Sequence, residues 1–213
     1  MRHPEASFAW AGSFMSIIFF VIVNFLTSPS HIWFIYPAFF LLLWPVSLHL
    51  ITKAAYKIHS VFCSFLLIIL LATINFLYSP EHPWFLYACY PVLWWPIFMY
   101  LGKYSASVSV AVAGSFVTIA YYTFLNAVIS PVYPWAVFPA FAVLWWPLAT
   151  FFARRKRFFQ LSVWGSALTI GFFIFVNQVS TPDNIWAVYP IFTILWWPLT
   201  MYFFSFKRKN PAC

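Results

Sequence analysis

The chain has 213 residues, of which 64% are hydrophobic and 7% charged, with a mean hydropathy of +0.88 and a formal net charge of +8. A soluble surface normally carries about 25% charged residues, so this composition belongs in a lipid bilayer. It argues against a water-soluble enzyme, and against nucleic-acid binding, which would need a solvated basic face to hold a duplex.

In chain order, apolar stretches long enough for a hydrocarbon core of about 30 Å predict helices at roughly 8–27 and 33–52, 59–78 and 84–102, 107–129 and 135–153, then 160–180 and 186–205. They are apolar nearly all round, as expected of helices buried in lipid and in each other. Alternating segments of about ten residues, the mark of a membrane β-barrel, are not found, and the many prolines oppose one. The first stretch follows Arg2 as a signal peptide would. It is instead read as a retained helix, since its Ser13 and Asn24 match the later segments and no small-x-small cleavage pattern precedes Pro29.

One unit of 51 residues is written four times: Trp33, Trp84, Trp135 and Trp186 stand 51 apart, as do Asn24, Asn75, Asn126 and Asn177, and Pro45, Pro96, Pro147 and Pro198. The repeats span approximately 7–57, 58–108, 109–159 and 160–210, so residues 1–213 are expected to form a single transmembrane domain. Each repeat reads as helix A, a loop rich in Pro and Ser, helix B and a basic connector. All eleven Lys and Arg residues lie at the ends or between repeats, from Arg2, Lys53, Lys57 and Lys103 through Arg154, Arg155, Lys156 and Arg157 to Lys207, Arg208 and Lys209. The loops within repeats hold Glu81 and Asp183 and no cation, so the positive-inside rule predicts cytoplasmic N- and C-termini and four hairpin loops outside.

In helix A the recurring polar residues are Ser13, Ser64, Ser115 and Ser166, each followed eleven residues later by an asparagine. Eleven residues make three turns plus about 20°, which sets both groups on one stripe, where small side chains let a neighbouring helix approach closely. Each asparagine lies five residues before Pro29, Pro80, Pro131 or Pro182. Its amide suits a hairpin clamp, bonding backbone groups left open at the helix end or the indole N–H at the start of helix B. The alternative is a ring of Asn24, Asn75, Asn126 and Asn177 lining an axis or a ligand site.

Helix B opens on Trp33, Trp84, Trp135 or Trp186, placed as anchors at the outer interface. Pro37, Pro139 and Pro190 follow in three repeats, with Ala88 in the second. Near mid-helix come Trp44-Pro45, Trp95-Pro96, Trp146-Pro147 and Trp197-Pro198, preceded in the later repeats by Trp94, Trp145 and Trp196. An internal proline removes a donor and strands the carbonyl four residues back, so these pairs are expected to kink or unwind helix B and to pack it against helix A. In lipid the stranded carbonyl must find another partner. Broken helices also occur at transporter binding sites.

No Asp, Glu, Lys or Arg falls at a predicted midplane, which argues against proton pumps, ion-coupled carriers and voltage sensors. His31 and His82 share a loop position that becomes Tyr133 and Asn184, and Cys63, Cys89 and Cys213 keep no repeat register, so neither a metal site nor a disulfide framework is expected. No cofactor and no enzymatic activity are expected.

The sequence of Asn24, Pro29, Trp33, Phe34, Tyr36, Pro37 and Trp44, with His49 at the inner end, resembles the two-transmembrane-helix domain of bacteria. The resemblance extends over each repeat, although the final histidine becomes Tyr100, Phe151 and Tyr202. In that family the unit occurs alone or beside histidine kinases and LytTR-type DNA-binding regulators, which implies a multi-pass protein of the bacterial inner membrane tied to sensing or regulation. With no signalling domain expected in this chain, such a role would act through a separate membrane or cytoplasmic protein. The sequence thus leads to an all-α membrane protein of eight transmembrane helices, four tandem hairpins in a pseudo-fourfold arrangement. Its expected partners are membrane lipids and a regulatory protein, and the rival function is a channel along the axis.

Overall fold

A computed structural model describes residues 4–52 and 55–207. Arg2, Lys53, Arg208, Lys209 and Cys213 lie outside the described residues. The fold is all-α. Helices α1 (Pro4–Thr27), α2 (Ile35–Thr52), α3 (Tyr56–Tyr78) and α4 (Phe85–Leu101) are followed by a 3-10 turn at Gly102–Ala106. Then come α5 (Val108–Ile129), α6 (Val137–Arg154), α7 (Phe158–Ser180) and α8 (Val188–Met201), with a π-helical turn at Tyr202–Lys207. Among the described residues six helical segments are long and apolar enough to cross a membrane, while Ile35–Ile51 and Val188–Phe204 are shorter. This is a helical membrane protein by length and composition.

Two compact units form, Met1–Gly102 and Lys103–Cys213, each holding two hairpins. In the first, α1 packs on α2, α2 on α3 and α3 on α4; in the second, α5 packs on α6, α6 on α7 and α7 on α8. The odd helices end where the sequence places proline. The amides of Ser28, Ser79, Ser130 and Thr181 donate to the carbonyls of Asn24, Asn75, Asn126 and Asn177 at 2.8 to 3.2 Å. The following proline excludes αR geometry at those residues, and Ser79, Ser130 and Thr181 accordingly leave it, with ψ of 56°, 76° and 71°.

The interior is small and polar. Ala9, Ser60, Ala111 and Ser162, spaced by 51 residues, are fully buried, and the recurring serines and asparagines are nearly so. Large apolar side chains such as Phe8, Phe14, Phe116 and Phe124 face outward. Such an inversion suits lipid, where burying an apolar chain gains little and close helix contact gains dispersion and hydrogen bonding.

The expected unwinding of helix B does not occur. The helices α2, α4, α6 and α8 continue through Pro45, Pro96, Pro147 and Pro198, and α4 also continues through Pro91. Pro37, Pro139 and Pro190 fall in the first turn, where the missing N–H has no helical acceptor to lose.

Candidate functional site

Each recurring asparagine is built into its own hairpin. The Asn24 amide nitrogen donates to the carbonyls of Ser28 (3.0 Å) and His31 (2.9 Å), while its oxygen accepts from the amides of Trp33 (2.7 Å) and Phe34 (2.9 Å). Asn75 repeats the pattern on Ser79, His82 and the Phe85 amide. Asn126 does so on Ser130, Tyr133 and the Ala136 amide, and Asn177 on Thr181, Asn184 and the Ala187 amide.

One side chain thus ties the carbonyls four and seven residues on, and an amide nine or ten residues on, into a closed turn joining the two helices. Both Nδ2 protons are used, and the four residues are 1 to 7% exposed. This is the clamp geometry, in which Asn24, Asn75, Asn126 and Asn177 have no Nδ2 proton left to offer a ligand.

Of the two partners expected for the asparagine, the backbone groups are the ones it takes, and in the third and fourth hairpins the indole N–H goes to a hydroxyl of the loop. Trp135 Nε1 donates to Ser130 Oγ at 2.6 Å and Trp186 Nε1 to Thr181 Oγ1 at 2.7 Å, so the loop hydroxyl, and not the asparagine, receives it. Trp33, Trp135 and Trp186 also meet Phe20, Tyr122 and Phe173 edge to face, with centroids about 6 Å apart. The four tryptophans Trp33, Trp84, Trp135 and Trp186 are half-buried.

A second recurring connection joins two features that the sequence shows apart. Ser64 Oγ donates to the Val92 carbonyl (3.2 Å), Ser115 Oγ to Val143 (3.0 Å) and Ser166 Oγ to Ile194 (3.3 Å). Val92, Val143 and Ile194 each lie four residues before Pro96, Pro147 and Pro198. In α4, α6 and α8 the hydroxyl therefore serves the very carbonyl that the Trp-Pro proline strands, whereas α2 continues through Pro45 without this bond. The sequence held a signal for this: serine and proline stand 32 residues apart in all four repeats. Hairpin one departs from the pattern, since Ser13 Oγ is buried without a hydrogen-bond partner.

Of the paired residues, Trp44 and Trp95 are 45% exposed, while Trp146 and Trp197 are half-buried. In the second unit the Trp145 and Trp197 rings, 6.0 Å apart, close over Gly165, where a Cβ would meet both at 2.7 Å. Glycine is required there by this approach.

The first unit holds one cluster that periodicity could not reveal. His59 Nε2 lies 3.0 Å from Ser47 Oγ and 3.3 Å from the buried Cys63 Sγ, with Trp95 edge-on to the imidazole. His59, Ser47 and Cys63 do not recur: the positions equivalent to His59 are Phe8, Val110 and Leu161. Among the described residues no group of three or more His, Cys, Asp or Glu side chains is gathered as metal ligands would be.

In comparisons with protein families, curated proteins and solved structures, the chain matches none, so the functional reading rests on its own residues.

Proposed function

We propose that the protein is a non-enzymatic integral membrane sensor, regulator or accessory subunit. It binds a lipid-like ligand or the helices of a partner membrane protein through aromatic and small-residue faces. In this reading the chain crosses the membrane eight times and its four hairpins enter with the same sense, related by rotation about the membrane normal. Both termini are cytoplasmic, in a bacterial inner membrane, as the positions of the cations and the family resemblance imply.

The observation that carries the proposal is the fate of the recurring polar side chains. Four asparagines and three of four recurring serines bond backbone groups of their own hairpins, so the repeated polar chemistry builds the scaffold. What remains outward is aromatic and aliphatic surface, with cations at the connectors. The rival, a channel or facilitator along a pseudo-fourfold axis, loses the asparagines as lining groups.

The test is paired. Protein reconstituted in liposomes should show no solute or ion flux above empty vesicles, and affinity purification from native membranes should retain a stoichiometric partner or a bound lipid. Flux that disappears in an Asn75→Leu/Asn177→Leu variant of preserved fold would overturn the proposal in favour of the channel.

A further inference from the structure

The second unit has an open apolar groove of about 570 Å³, walled by Val112 of α5, by Leu144, Pro147 and Phe151 of α6, and by Trp164 and Ala167 of α7. Its residues come from the first turns of α5, the second half of α6 and the first half of α7, so it lies at the connector end of the unit. From Leu144 to Phe151 the helix advances about 10 Å, a depth within one leaflet.

The mouth of the groove is cationic. The α6–α7 connector turns within Arg155, Lys156 and Arg157. The Lys156 amide donates to Ala153 and that of Arg157 to Phe152, while Lys156 takes a φ of +54°. This paired closure ends α6 abruptly and leaves Arg154, Arg155, Lys156 and Arg157 all exposed at one corner. Arg155 lies 3.9 Å over the ring of Phe151, which itself lines the groove, so a guanidinium is fixed at the groove's edge. The sole acid in residues 103–213 is Asp183, in the hairpin loop at the far end of α7.

We infer that this groove holds one acyl chain of an anionic glycerophospholipid whose phosphate is bound at Arg154–Arg157. The inference rests on the regulatory, ligand-binding reading above and names its ligand class. Charge selects the occupant: an apolar slot ending in four exposed cations fits a molecule with a hydrocarbon tail and an anionic head. A zwitterionic lipid fits the slot and lacks the net charge. One surface cation gains an acidic headgroup about fivefold in binding, and several act together at this corner.

The full chain, purified in mild detergent, is incubated with phosphatidylglycerol or phosphatidylcholine of the same chains, and bound lipid is counted by native mass spectrometry. One phosphatidylglycerol should be retained at least about fivefold over phosphatidylcholine. Arg154→Gln/Arg155→Gln/Arg157→Gln should abolish the preference, and Ala167→Trp should displace both lipids. A diazirine-bearing phosphatidylglycerol, which needs no variant, should crosslink to the wild-type peptide containing Trp164 and Ala167. Equal retention of the two lipids, or crosslinks elsewhere only, overturns the inference, as does a folded Ala167→Trp protein that keeps its lipid. A copurifying protein partner without lipid preference would defeat this inference alone, whereas flux in liposomes would defeat the regulatory reading and leave the bound lipid in place.

Discussion

Replacing Ser115 by alanine removes one oxygen and leaves the fold's shape intact, so its cost isolates the bond to the Val143 carbonyl. That bond is 3.0 Å long, Ser115 is 3% exposed, and the acceptor has lost its helical donor to Pro147. Hydrogen bonds between membrane helices average about 0.6 kcal/mol and reach about 1.7, while abandoning a buried acceptor costs about 1–3 kcal/mol. The predicted loss is therefore about 1–1.5 kcal/mol, at the upper end for a membrane hydrogen bond.

A double-mutant cycle assigns the loss to its cause. Pro147→Ala restores a backbone N–H able to reach Val143, so Ser115→Ala in that background should cost about 0.5–1 kcal/mol less. Ser13→Ala supplies the internal control, because Ser13 Oγ has no partner and its removal should be close to neutral. Reversible unfolding in mixed detergent micelles, followed by tryptophan fluorescence, measures all of these. Ser115 and Pro147 effects that add within about 0.3 kcal/mol, or equal costs for Ser13→Ala and Ser115→Ala, would refute the link between serine and proline.

Asn126→Leu is predicted to destabilise the third hairpin by about 2–3 kcal/mol, since two carbonyls and one amide lose their partner at a partly hydrated turn; the same unfolding assay reads it. Asn126→Asp sets a carboxylate, which has no proton to donate, against those two carbonyls, and at neutral pH should cost at least as much as Asn126→Leu; an unchanged stability would contradict the clamp geometry. Gly165→Ala should cost about 1–3 kcal/mol by forcing the Trp145 and Trp197 rings apart, whereas Gly12→Ala, with open space at its Cβ, should be neutral or stabilise by about 0.5–1 kcal/mol. Lys156→Gly should stabilise by about 0.5–1 kcal/mol, because a lysine occupies the left-handed position of the α6–α7 corner; a loss of stability there would show that the lysine side chain holds the corner.

Helix positions were legible because apolar runs and a 51-residue period mark them independently. The eight observed helices begin and end close to the expected bounds. The asparagine clamp was legible as a residue type beside a proline, but its partners were not, since they depend on how the chain folds back between Asn24 and Phe34. Ser115 and Pro147 were each visible as recurring residues. Their connection was hidden because a hydroxyl meets a carbonyl 28 residues away only once the two helices have closed at a particular depth. The mid-helix prolines suggested unwinding because a sequence shows the donor that proline removes and conceals the donor that replaces it. The contact of His59 with Ser47 and Cys63, and the Arg155 corner, do not recur and so left no periodic trace.

The most direct measurement of the topology uses single cysteines at Ser30, Glu81, Val132 and Asp183, four equivalent hairpin positions, and at Tyr104 and Arg155 in the connectors, in a chain stripped of its native cysteines. A membrane-impermeant maleimide applied to intact spheroplasts should label all four hairpin positions and neither connector, with the reverse pattern in inverted vesicles. Labelling of any hairpin position from the connector side would contradict four hairpins of common sense and, with it, the eight crossings.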